Sequence, residues 1–303
     1  MNTVQYIEKN FEKALVNVNG EILKPELATI SVFDRSFLYG DSVYEVTRSY
    51  GGKIFALDEH LERLWNSMEI LSLKPTISQS ELTQEILKTF KAFAHPDCYI
   101  RIIITRGVGE IGLDISKVHH NNVVIIIKEI LPNPAHWYTH GVDYIVAKTK
   151  RMPKDSLNPM AKTGNYLNSI LALLEAKKLG AFDALLLDHE GYVTEGSTNN
   201  IWMVKNNKVF TPSSERGILK GITRDFILSF HQKSNIEIQE KDFFLDELLA
   251  ADEVFMTSSL KEVVPIIKID QMIIGKGKPG PMTQKLHQLY QQAINNFITK
   301  GTT

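Results

Sequence analysis

The segment Ala161-Lys162-Thr163-Gly164-Asn165-Tyr166 places a lysine in a short polar loop directly before a predicted helix. Later in the chain, Glu195-Gly196-Ser197-Thr198-Asn199-Asn200 sets one carboxylate at the end of a predicted strand, ahead of small polar residues. A third segment, Gly221-Ile222-Thr223-Arg224-Asp225, is a glycine turn that opens another predicted helix. Free backbone amides at the start of a helix favour a bound anion. The chain therefore offers, in this order, an amine, a carboxylate and an anion site.

These three groups match three needs of the cofactor pyridoxal phosphate. A lysine amine can bond to the aldehyde, a carboxylate can hold the pyridine nitrogen, and a helix start can bind the phosphate. Each group also has an ordinary structural interpretation: Lys162 as a solvated loop lysine, Glu195 as a strand end, and Gly221 as part of a helix cap. Arg63, which lies off the apolar stripe of its predicted helix, either closes the anion site or lies at the surface. The order of the groups favours the cofactor more than any one of them does.

Length, charge and cysteine content limit the classes of function. A chain of 303 residues predicts about two domains with a substantial core. Its 34 basic and 35 acidic side chains give a net charge of −1, which argues against nucleic acid or an anionic membrane as a partner. Cys98 is the only cysteine, so no internal disulfide can form and a reducing compartment is expected. Because no apolar leader and no run of about 18 apolar residues is present, we expect a soluble, cytoplasmic protein.

The alternation of strand and helix signals predicts an α/β (α+β) fold. Asn19-Gly20 and Gly51-Gly52 are hairpin signals between apolar runs, and Asp58 is a candidate cap for the helix that follows. Similar signals continue through the second half of the chain, and Pro132-Asn133-Pro134 is typical of a linker. The predicted organisation is a small N-terminal domain over 1–130, a linker over 131–138 and a larger domain over 139–303.

One alternative motif points to a different cofactor. Gly107-Val108-Gly109-Glu110-Ile111-Gly112 matches the G-x-G-x-x-G pattern of dinucleotide-binding folds, which requires a helix directly after it. The residues that follow, 113–121, are short and polar and lead into another predicted strand. We therefore interpret the motif as a turn between neighbouring strands. His119-His120 has no partner at the spacing of metal ligands, so no metal site is predicted.

Taken together, these residues resemble the class IV aminotransferases, the pyridoxal phosphate enzymes of fold type IV. That family includes branched-chain aminotransferases, D-amino acid aminotransferases and aminodeoxychorismate lyases. The resemblance covers nearly the whole chain, from about Ala14 to Phe297. It rests on Asp34-Arg35-Ser36-Phe37-Leu38-Tyr39-Gly40-Asp41, on His60-Leu61-Glu62-Arg63-Leu64, on the segments around Lys162, Glu195 and Gly221, and on Ala251-Asp252-Glu253-Val254-Phe255.

The resemblance implies an architecture and a role for individual residues. It implies a small N-terminal α/β domain, a larger C-terminal pseudo-barrel domain, pyridoxal 5'-phosphate between them, and a homodimer. Lys162 would be the catalytic residue and would carry the cofactor. Glu195 would bind the pyridine nitrogen, Tyr166 the phenolic oxygen, and Leu219 would pack under the ring. The remaining cofactor-binding positions, which would hold the phosphate, are Arg63, Ile222, Thr223 and Ser259.

The positions that would contact the substrate give a mixed indication. They are Tyr39, Val46, Tyr99, Arg101 and Leu260. Tyr99-Ile100-Arg101 resembles the Y-I-R strand of branched-chain enzymes, where a guanidinium suits a carboxylate. The chain also lacks the Arg-x-His pattern of D-amino acid enzymes. Val46, in contrast, stands where branched-chain enzymes usually have glycine, and Val43-Tyr44-Glu45-Val46 is closer to the D-amino acid type.

The resemblance therefore implies a transaminase that transfers an amino group between an amino acid and a 2-oxo acid such as 2-oxoglutarate. A branched-chain L-amino acid is the preferred donor, and a D-amino acid or an (R)-amine is the alternative. An aminodeoxychorismate lyase on the same scaffold is a second alternative, in which Lys162 would serve pyruvate elimination; Arg101 argues against it. A non-catalytic protein that kept the scaffold is disfavoured because Lys162 and Glu195 are both present.

Overall fold

The computed structural model describes residues 2–118 and 120–299, and the chain forms two compact units. The first unit contains the residues up to Leu131 together with Ala161–Asn165. The second contains Pro132–Met160 and the residues from Tyr166 onward. The segment that carries Lys162 therefore packs with the first unit, although it lies between two segments of the second. The domain bounds predicted from the sequence remain a prediction. They assigned the lysine segment to the larger domain and did not anticipate that it packs with the first unit.

The first unit is an antiparallel sheet covered by helices. Its helices are α1 (Thr3–Asn10), α2 (Arg35–Tyr39), α3 (Leu57–Ile70) and α4 (Gln79–Phe93). Its strands are β1 (Ala14–Val18), β2 (Glu21–Leu23), β3 (Ser42–Tyr50), β4 (Lys53–Ile54), β5 (Cys98–Thr105) and β6 (Val123–Glu129). Within the described residues they form one sheet in the order β2-β1-β6-β5-β3-β4. The G-x-G-x-x-G segment joins β5 to β6, which pair with each other, so its interpretation as a turn is confirmed.

The core of this unit follows from the two-residue period of its strands. In β5, Ile100, Ile102 and Ile104 are fully buried, and the residues between them point to the other face. The helices α3 and α4 cover the buried face. The prediction that Asp58 caps α3 is wrong: Ala56, at φ 52, is the N-cap, and Asp58 lies in the first turn. A left-handed residue turns the chain from β4 into the helix, which a cap rule based on side chains does not detect.

The second unit contains the larger sheet. Its helices are α5 (His136–Thr139), α6 (Leu167–Lys178), α7 (Ile222–Lys233), α8 (Leu245–Leu249) and α9 (Pro281–Thr299). Its strands are β7 (Val142–Val146), β8 (Asp183–Leu187), β9 (Val193–Gly196), β10 (Asn200–Lys205), β11 (Lys208–Thr211), β12 (Glu237–Glu240), β13 (Glu253–Ser258), β14 (Glu262–Ile269) and β15 (Met272–Ile273). None of the helices in the two described stretches is both long and apolar enough to cross a membrane.

Part of this sheet closes on itself. The order along the sheet is β12-β11-β10-β13-β14-β7-β8-β9, and β9 pairs back with β10. The strands from β10 to β9 therefore form a ring, and the closing contact joins Glu195 to Asn200. Apolar side chains from these strands, including Val193, Ile201 and Met256, fill a buried core. The expected mixed α/β fold with a C-terminal pseudo-barrel is confirmed.

Candidate functional site

The backbone around Lys162 is fixed at several points within the first unit. The N–H of Lys162 donates to Oγ of Ser67 on α3 at 3.0 Å, and its carbonyl accepts from the N–H of Tyr44 on β3 at 3.0 Å. The N–H of Gly164 donates to the carbonyl of Ser42 at 2.8 Å. The last two of these bonds form an isolated antiparallel β-bridge between Thr163 and Val43, at the start of β3. The base of the side chain is thereby anchored to a strand and a helix.

The ring of Tyr44 lies against two cations of the same unit. The Nζ of Lys162 is 4.5 Å from the centroid of the ring, and Cζ of Arg101 is 4.0 Å from it. Contacts at these distances are attractive because the face of an aromatic ring is negative. Tyr44 is buried, whereas Lys162 and Arg101 are half-buried. The predicted catalytic lysine and a predicted substrate residue therefore share one aromatic neighbour, which the sequence analysis did not identify.

Three of the predicted substrate residues share one face of the sheet. Arg101 is directly opposite Val46, and Tyr99 is directly opposite Arg48, in the antiparallel pair of β3 and β5. Opposite residues in such a pair point to the same side, and alternate residues along a strand do too. Tyr99, Arg101 and Val46 therefore form a patch on the face away from the buried isoleucines.

Tyr39 lies elsewhere in the first unit, at the end of α2. Its hydroxyl accepts a hydrogen bond from the N–H of Gly112 at 2.9 Å, and the guanidinium of Arg35 lies 4.8 Å from its ring. Arg35 also donates to the carbonyls of Gly112 and Leu113. Tyr39 thus helps to hold the loop between β5 and β6. These contacts tie Tyr39 to that loop, and they do not connect it to the patch on the sheet face.

Arg63 is held by a buried carboxylate. Its Nε is 2.6 Å from Oε1 of Glu45, and its Nη2 is 2.7 Å from Oε2. The Nδ1 of His60 is 2.7 Å from the same Oε2. The side chain of Glu45 is 0% exposed, that of His60 is 1% exposed and that of Arg63 is 11% exposed. Such a two-pronged pair fixes the plane of the guanidinium as well as its position.

The electrostatics of this group favour an ionised carboxylate and a neutral imidazole. Burial alone would raise the pKa of Glu45, but the guanidinium of Arg63 and the bonded His60 ring hold that pKa well below the usual range of a carboxyl group. Burial lowers the pKa of His60 below its ordinary value, although Glu45 opposes this shift. Near neutral pH, Nδ1–H of an uncharged His60 therefore donates to the carboxylate of Glu45.

Glu195 is fixed through both of its carboxylate oxygens, within the second unit. Oε1 is 2.8 Å from Nη2 of Arg151, and Oε2 accepts from the N–H of Leu219 at 3.1 Å. Arg151 is itself tied to the loop before Leu219, because its Nε donates to the carbonyl of Gly217 at 2.9 Å. The carboxylate therefore has a defined direction, as expected of a group that must meet a ring nitrogen.

Asn200 connects several predicted positions of the second unit. Its backbone is paired with Glu195 on β9 and with Thr257 on β13, so both strands meet at this residue. Its Nδ2 donates to the carbonyl of Leu219 at 2.9 Å. A Cβ atom built on Gly221 would lie 2.1 Å from Oδ1 of Asn200, so a larger residue there would displace the Asn200 amide or the start of α7. Asn200 thereby brings Glu195, Leu219 and the start of α7 to one end of the barrel.

The start of α7 presents backbone donors. Gly221 is the N-cap and has no side chain to accept from the first-turn N–H groups, whose partial positive charge favours an anion. Ile222 and Thr223 follow it and are buried. The Oγ1 of Thr223 is 3.5 Å from the hydroxyl of Tyr290 on α9. A hydroxyl and main-chain amides at a helix start are the donor set that a phosphate group requires.

Ser259 and Leu260 lie in the tight turn between β13 and β14, and both are half-buried. Nδ2 of Asn133 donates to the carbonyl of Leu260 at 2.8 Å, and the hydroxyl of Tyr138 donates to the carbonyl of Lys261 at 3.1 Å. The turn is thus anchored from the linker side of the same unit. Tyr166 is half-buried at the N-cap of α6, a few residues after Lys162.

The residues of the chain fit pyridoxal phosphate, which requires a lysine amine, a carboxylate for the ring nitrogen and donors for the phosphate. The first unit supplies the amine of Lys162 and the guanidinium of Arg63. The second supplies Glu195, fixed through both oxygens, and the start of α7, where a side chain on Gly221 would meet the amide of Asn200. Across residues 2–118 and 120–299, no cluster of three or more metal-ligating side chains occurs, and His119 lies outside the described residues.

The sequence analysis did not assign roles to Glu45, His60, Arg151 or Asn200. Glu45 gave one usable signal, since a carboxylate stands among apolar residues of a predicted strand. His60 and Arg63 gave another, because residues three apart share a helix face. Arg151 and Asn200 gave none, because their partners lie on other strands and loops.

Comparison with known proteins identifies the family of the chain. The family model for amino-transferase class IV matches residues 42–269. A putative branched-chain-amino-acid aminotransferase of Methanocaldococcus jannaschii is 38% identical over 91% of this chain and 95% of its own length. The D-alanine aminotransferase of Bacillus licheniformis is 31% identical over 94% of this chain and 97% of its own. The aminodeoxychorismate lyase of Bacillus subtilis is 30% identical over 94% and 96%.

The fold has a close counterpart among solved structures. The branched-chain amino acid aminotransferase of T.th., crystallised with pyridoxamine 5'-phosphate, superposes with a TM-score of 0.89. It is 33% identical in sequence, and the match covers 94% of this chain and 95% of that one. The family model spans more than half of the chain, and the relatives match along nearly their whole length. The chain belongs to the class IV aminotransferase family.

Proposed function

We propose that this protein is a pyridoxal phosphate-dependent transaminase that moves an amino group between an amino acid and a 2-oxo acid. A branched-chain L-amino acid is the preferred donor, and 2-oxoglutarate is the proposed acceptor. The observation that carries the proposal is the anchoring of Lys162, whose backbone N–H and carbonyl are both bonded to the first unit. A lysine whose amine must reach one atom of the bound substrate needs a fixed backbone and a long side chain.

The proposed roles of the residues follow from their chemistry. When bound, the cofactor withdraws electrons from the substrate and so weakens its Cα–H bond. Nζ of Lys162 would accept the proton from Cα of the donor amino acid and, in the reverse half-reaction, would give a proton to Cα of the 2-oxo acid, so that one residue acts as base and acid. Glu195 would hold its carboxylate toward the ring nitrogen, since Arg151 and the N–H of Leu219 fix its direction.

The remaining cofactor contacts are also proposals. We assign the phosphate to Arg63, the N–H groups and hydroxyl of Ile222 and Thr223, and Ser259. Tyr166 would donate to the phenolic oxygen, and Leu219 would support the ring from below. The support for these roles is the donor chemistry of the residues and their positions in the family pattern.

The substrate proposal rests on the face of the first sheet that carries Tyr99, Arg101 and Val46. Arg101 suits a carboxylate of the substrate or of a dicarboxylate acceptor. Val46 adds methyl groups where a glycine would leave space, and each methylene changes discrimination by only about 1–3 kcal/mol. A D-amino acid or (R)-amine donor is therefore the second candidate, favoured by Val46 and by the D-alanine aminotransferase relative.

A panel of donors tests both candidates. The protein loaded with pyridoxal phosphate is mixed with L-leucine, L-isoleucine, the matching D-amino acids and an (R)-amine. The spectral change to the aminated cofactor is followed in a single half-reaction. We expect the fastest change with the branched-chain L-amino acids. A faster change with a D-amino acid favours the second candidate, and no change with any donor contradicts transamination.

The lyase alternative requires its own assay. Aminodeoxychorismate is added in the absence of any 2-oxo acid, and pyruvate is measured. A transaminase releases none by this route, whereas a lyase releases it in many turnovers. Continued pyruvate release would replace our proposal with the lyase.

We also propose a homodimer, supported by an exposed apolar stripe on α6. The opposite side of this helix packs on the barrel through Ser169, Ala172 and Ala176. The stripe consists of Leu167, Ile170, Leu171 and Leu174, each 47–62% exposed and spaced as one helix face. Contiguous exposed apolar faces of this kind are typical of protein interfaces.

The oligomer is tested by measuring the mass in solution. The double substitution L171E/L174E places two charges on the stripe, and we expect it to convert a dimer into a monomer. The substitution K178E, on the exposed end of the same helix, serves as the control and should leave the mass unchanged. A monomeric wild-type protein would contradict the proposal.

The proposed location is the cytoplasm, supported by the single, buried Cys98.

A further inference from the structure

Glu45, His60 and Arg63 form a buried group in which hydrogen bonds hold the arginine in place, unlike an arginine at the surface. Both oxygens of Glu45 are used, since Nε and Nη2 of Arg63 lie 2.6 Å and 2.7 Å from them. His60 adds a third bond to Oε2 at 2.7 Å. None of the three side chains is more than 11% exposed. The guanidinium is therefore largely shielded from solvent, and Glu45 accepts from two of its nitrogens.

The helix α3 relates this group to the lysine. His60, Arg63 and Ser67 lie at spacings of three and four residues, so they share one helix face. Ser67 accepts the N–H of Lys162 and donates to the carbonyl of Arg63. One helix face therefore fixes the base of Lys162 and, through Glu45 on β3, the head of Arg63.

We propose that Glu45 is a positioning residue for the cofactor phosphate: it holds the guanidinium of Arg63 in one orientation before the phosphate arrives. This inference rests on the proposed function. A free arginine loses much side-chain freedom when it binds an anion, and that loss weakens binding. Glu45 fixes the guanidinium of Arg63 during folding. The loss of side-chain freedom therefore does not weaken phosphate binding. Glu45 itself does not contact the cofactor in this proposal.

The competing effect has the opposite sign. Glu45 is an anion, and a second anion near Arg63 is repelled by it. Removing the charge of Glu45 would then strengthen phosphate binding. Positioning predicts weaker binding and repulsion predicts tighter binding, so one measurement separates them.

The experiment compares pyridoxal phosphate with pyridoxal, which lacks the phosphate. Dissociation constants are measured by spectral titration of the full chain stripped of cofactor, for wild type and E45Q. We expect E45Q to bind pyridoxal phosphate about tenfold more weakly or worse, because charged hydrogen bonds to Arg63 are lost. Binding of pyridoxal should change little. A role of Glu45 in folding alone would weaken both ligands equally.

A matched control is available in the second unit. Glu253 is also a buried carboxylate, and it accepts from the N–H groups of Met282 and Thr283 at the start of α9. E253Q should therefore lower stability without changing the ratio of the two dissociation constants. If E45Q does not fold, E45D retains the charge but is one methylene too short for both contacts. E45D should weaken the binding of pyridoxal phosphate several-fold more than the binding of pyridoxal.

The outcomes distinguish a failure of the proposed function from a failure of the positioning role of Glu45. If wild type binds neither ligand, the proposed function fails. If wild type prefers pyridoxal phosphate and the Glu45 variants keep the same preference, or strengthen it, the positioning role is wrong and the proposed function stands. A weakened preference in a folded Glu45 variant supports the positioning role.

Discussion

The two units fix their candidate groups by different means. In the first, Arg63 is oriented by a buried side-chain group of Glu45 and His60, with an ionised carboxylate at its centre. In the second, the start of α7 offers backbone N–H groups, and the close approach of Gly221 to Asn200 sets their place. Side-chain groups can be removed by one substitution and can titrate, whereas backbone donors can do neither. The difference predicts which substitutions and which pH values the protein tolerates.

The largest effect is expected from the lysine of the first unit, whose amine performs the proposed proton transfer. K162A removes the amine that moves the substrate proton, so kcat should fall by about a thousandfold or more. Steady-state assays with the best donor from the panel measure this. K154A, which removes an exposed lysine paired with Glu215, is the matched control. A K162A protein that keeps a kcat close to that of K154A would contradict the assignment of Lys162.

Glu195 is the exception in the second unit, because one of its two contacts is a side chain. R151M removes the 2.8 Å contact to Oε1 and leaves the N–H of Leu219. A charged hydrogen bond of this kind contributes about 1.5–3 kcal/mol, so we expect kcat/KM to fall roughly ten- to a hundredfold. R151K should restore part of it, because lysine keeps the charge but not the fork. Equal losses for both variants would show that charge is unimportant here.

The backbone donors at the start of α7 are best tested by adding a Cβ atom to Gly221. G221A places a Cβ 2.1 Å from Oδ1 of Asn200, so either the Asn200 amide, which is bonded to Leu219, or the start of α7 must shift. We expect binding of pyridoxal phosphate to weaken by about 1–3 kcal/mol, the usual cost of a forced displacement in packed structure. G280A, which would clash with Glu253 instead, is the control for a general loss of stability. Unchanged cofactor binding in G221A would remove α7 from the proposed phosphate site.

The smallest effect concerns pH. Burial lowers the folded-state pKa of His60, so His60 contributes stability above its ordinary pKa of about 6.5, and this contribution is lost as the pH falls below that value. The slope is at most about 1.4 kcal/mol per pH unit for one proton. Thermal unfolding between about pH 7 and about pH 5, which brackets the histidine range, should be less pH-dependent in H60Q than in wild type.

The control for the pH experiment is H140Q, since His140 is exposed. It should unfold with the pH dependence of the wild type. The depressed pKa of Glu45 gives a further loss of stability at more acidic pH, because its carboxylate contributes above its unfolded pKa and loses this contribution as the pH falls through the folded value. A wild-type protein whose stability rises as the solution is acidified would contradict both shifts.

Local sequence signals predicted much of the fold. Asn19-Gly20 forms the turn between β1 and β2, and Gly51-Gly52 forms the turn between β3 and β4, as expected. The start of α3 was predicted too late, because a left-handed Ala56 rather than a side chain precedes the helix. The pairing of the segment 161–165 with β3 was not predicted, because short polar segments carry no signal for a distant strand partner.

The candidate site shows the same division between residues with a local sequence signal and residues whose contacts depend on the fold. Residues named from the family pattern, such as Lys162 and Glu195, could be proposed from sequence order. The residues that orient them could not, since Glu45 and Arg151 act through partners 18 and 44 positions away in the chain, and such pairs depend on the fold.

The most direct test of the account is the site of covalent attachment of the cofactor. The protein is loaded with pyridoxal phosphate, reduced with borohydride, digested and analysed by mass spectrometry. Our account predicts one phosphopyridoxyl group, located on Lys162. Attachment at any other lysine, or none in a protein that has bound the cofactor, would contradict it.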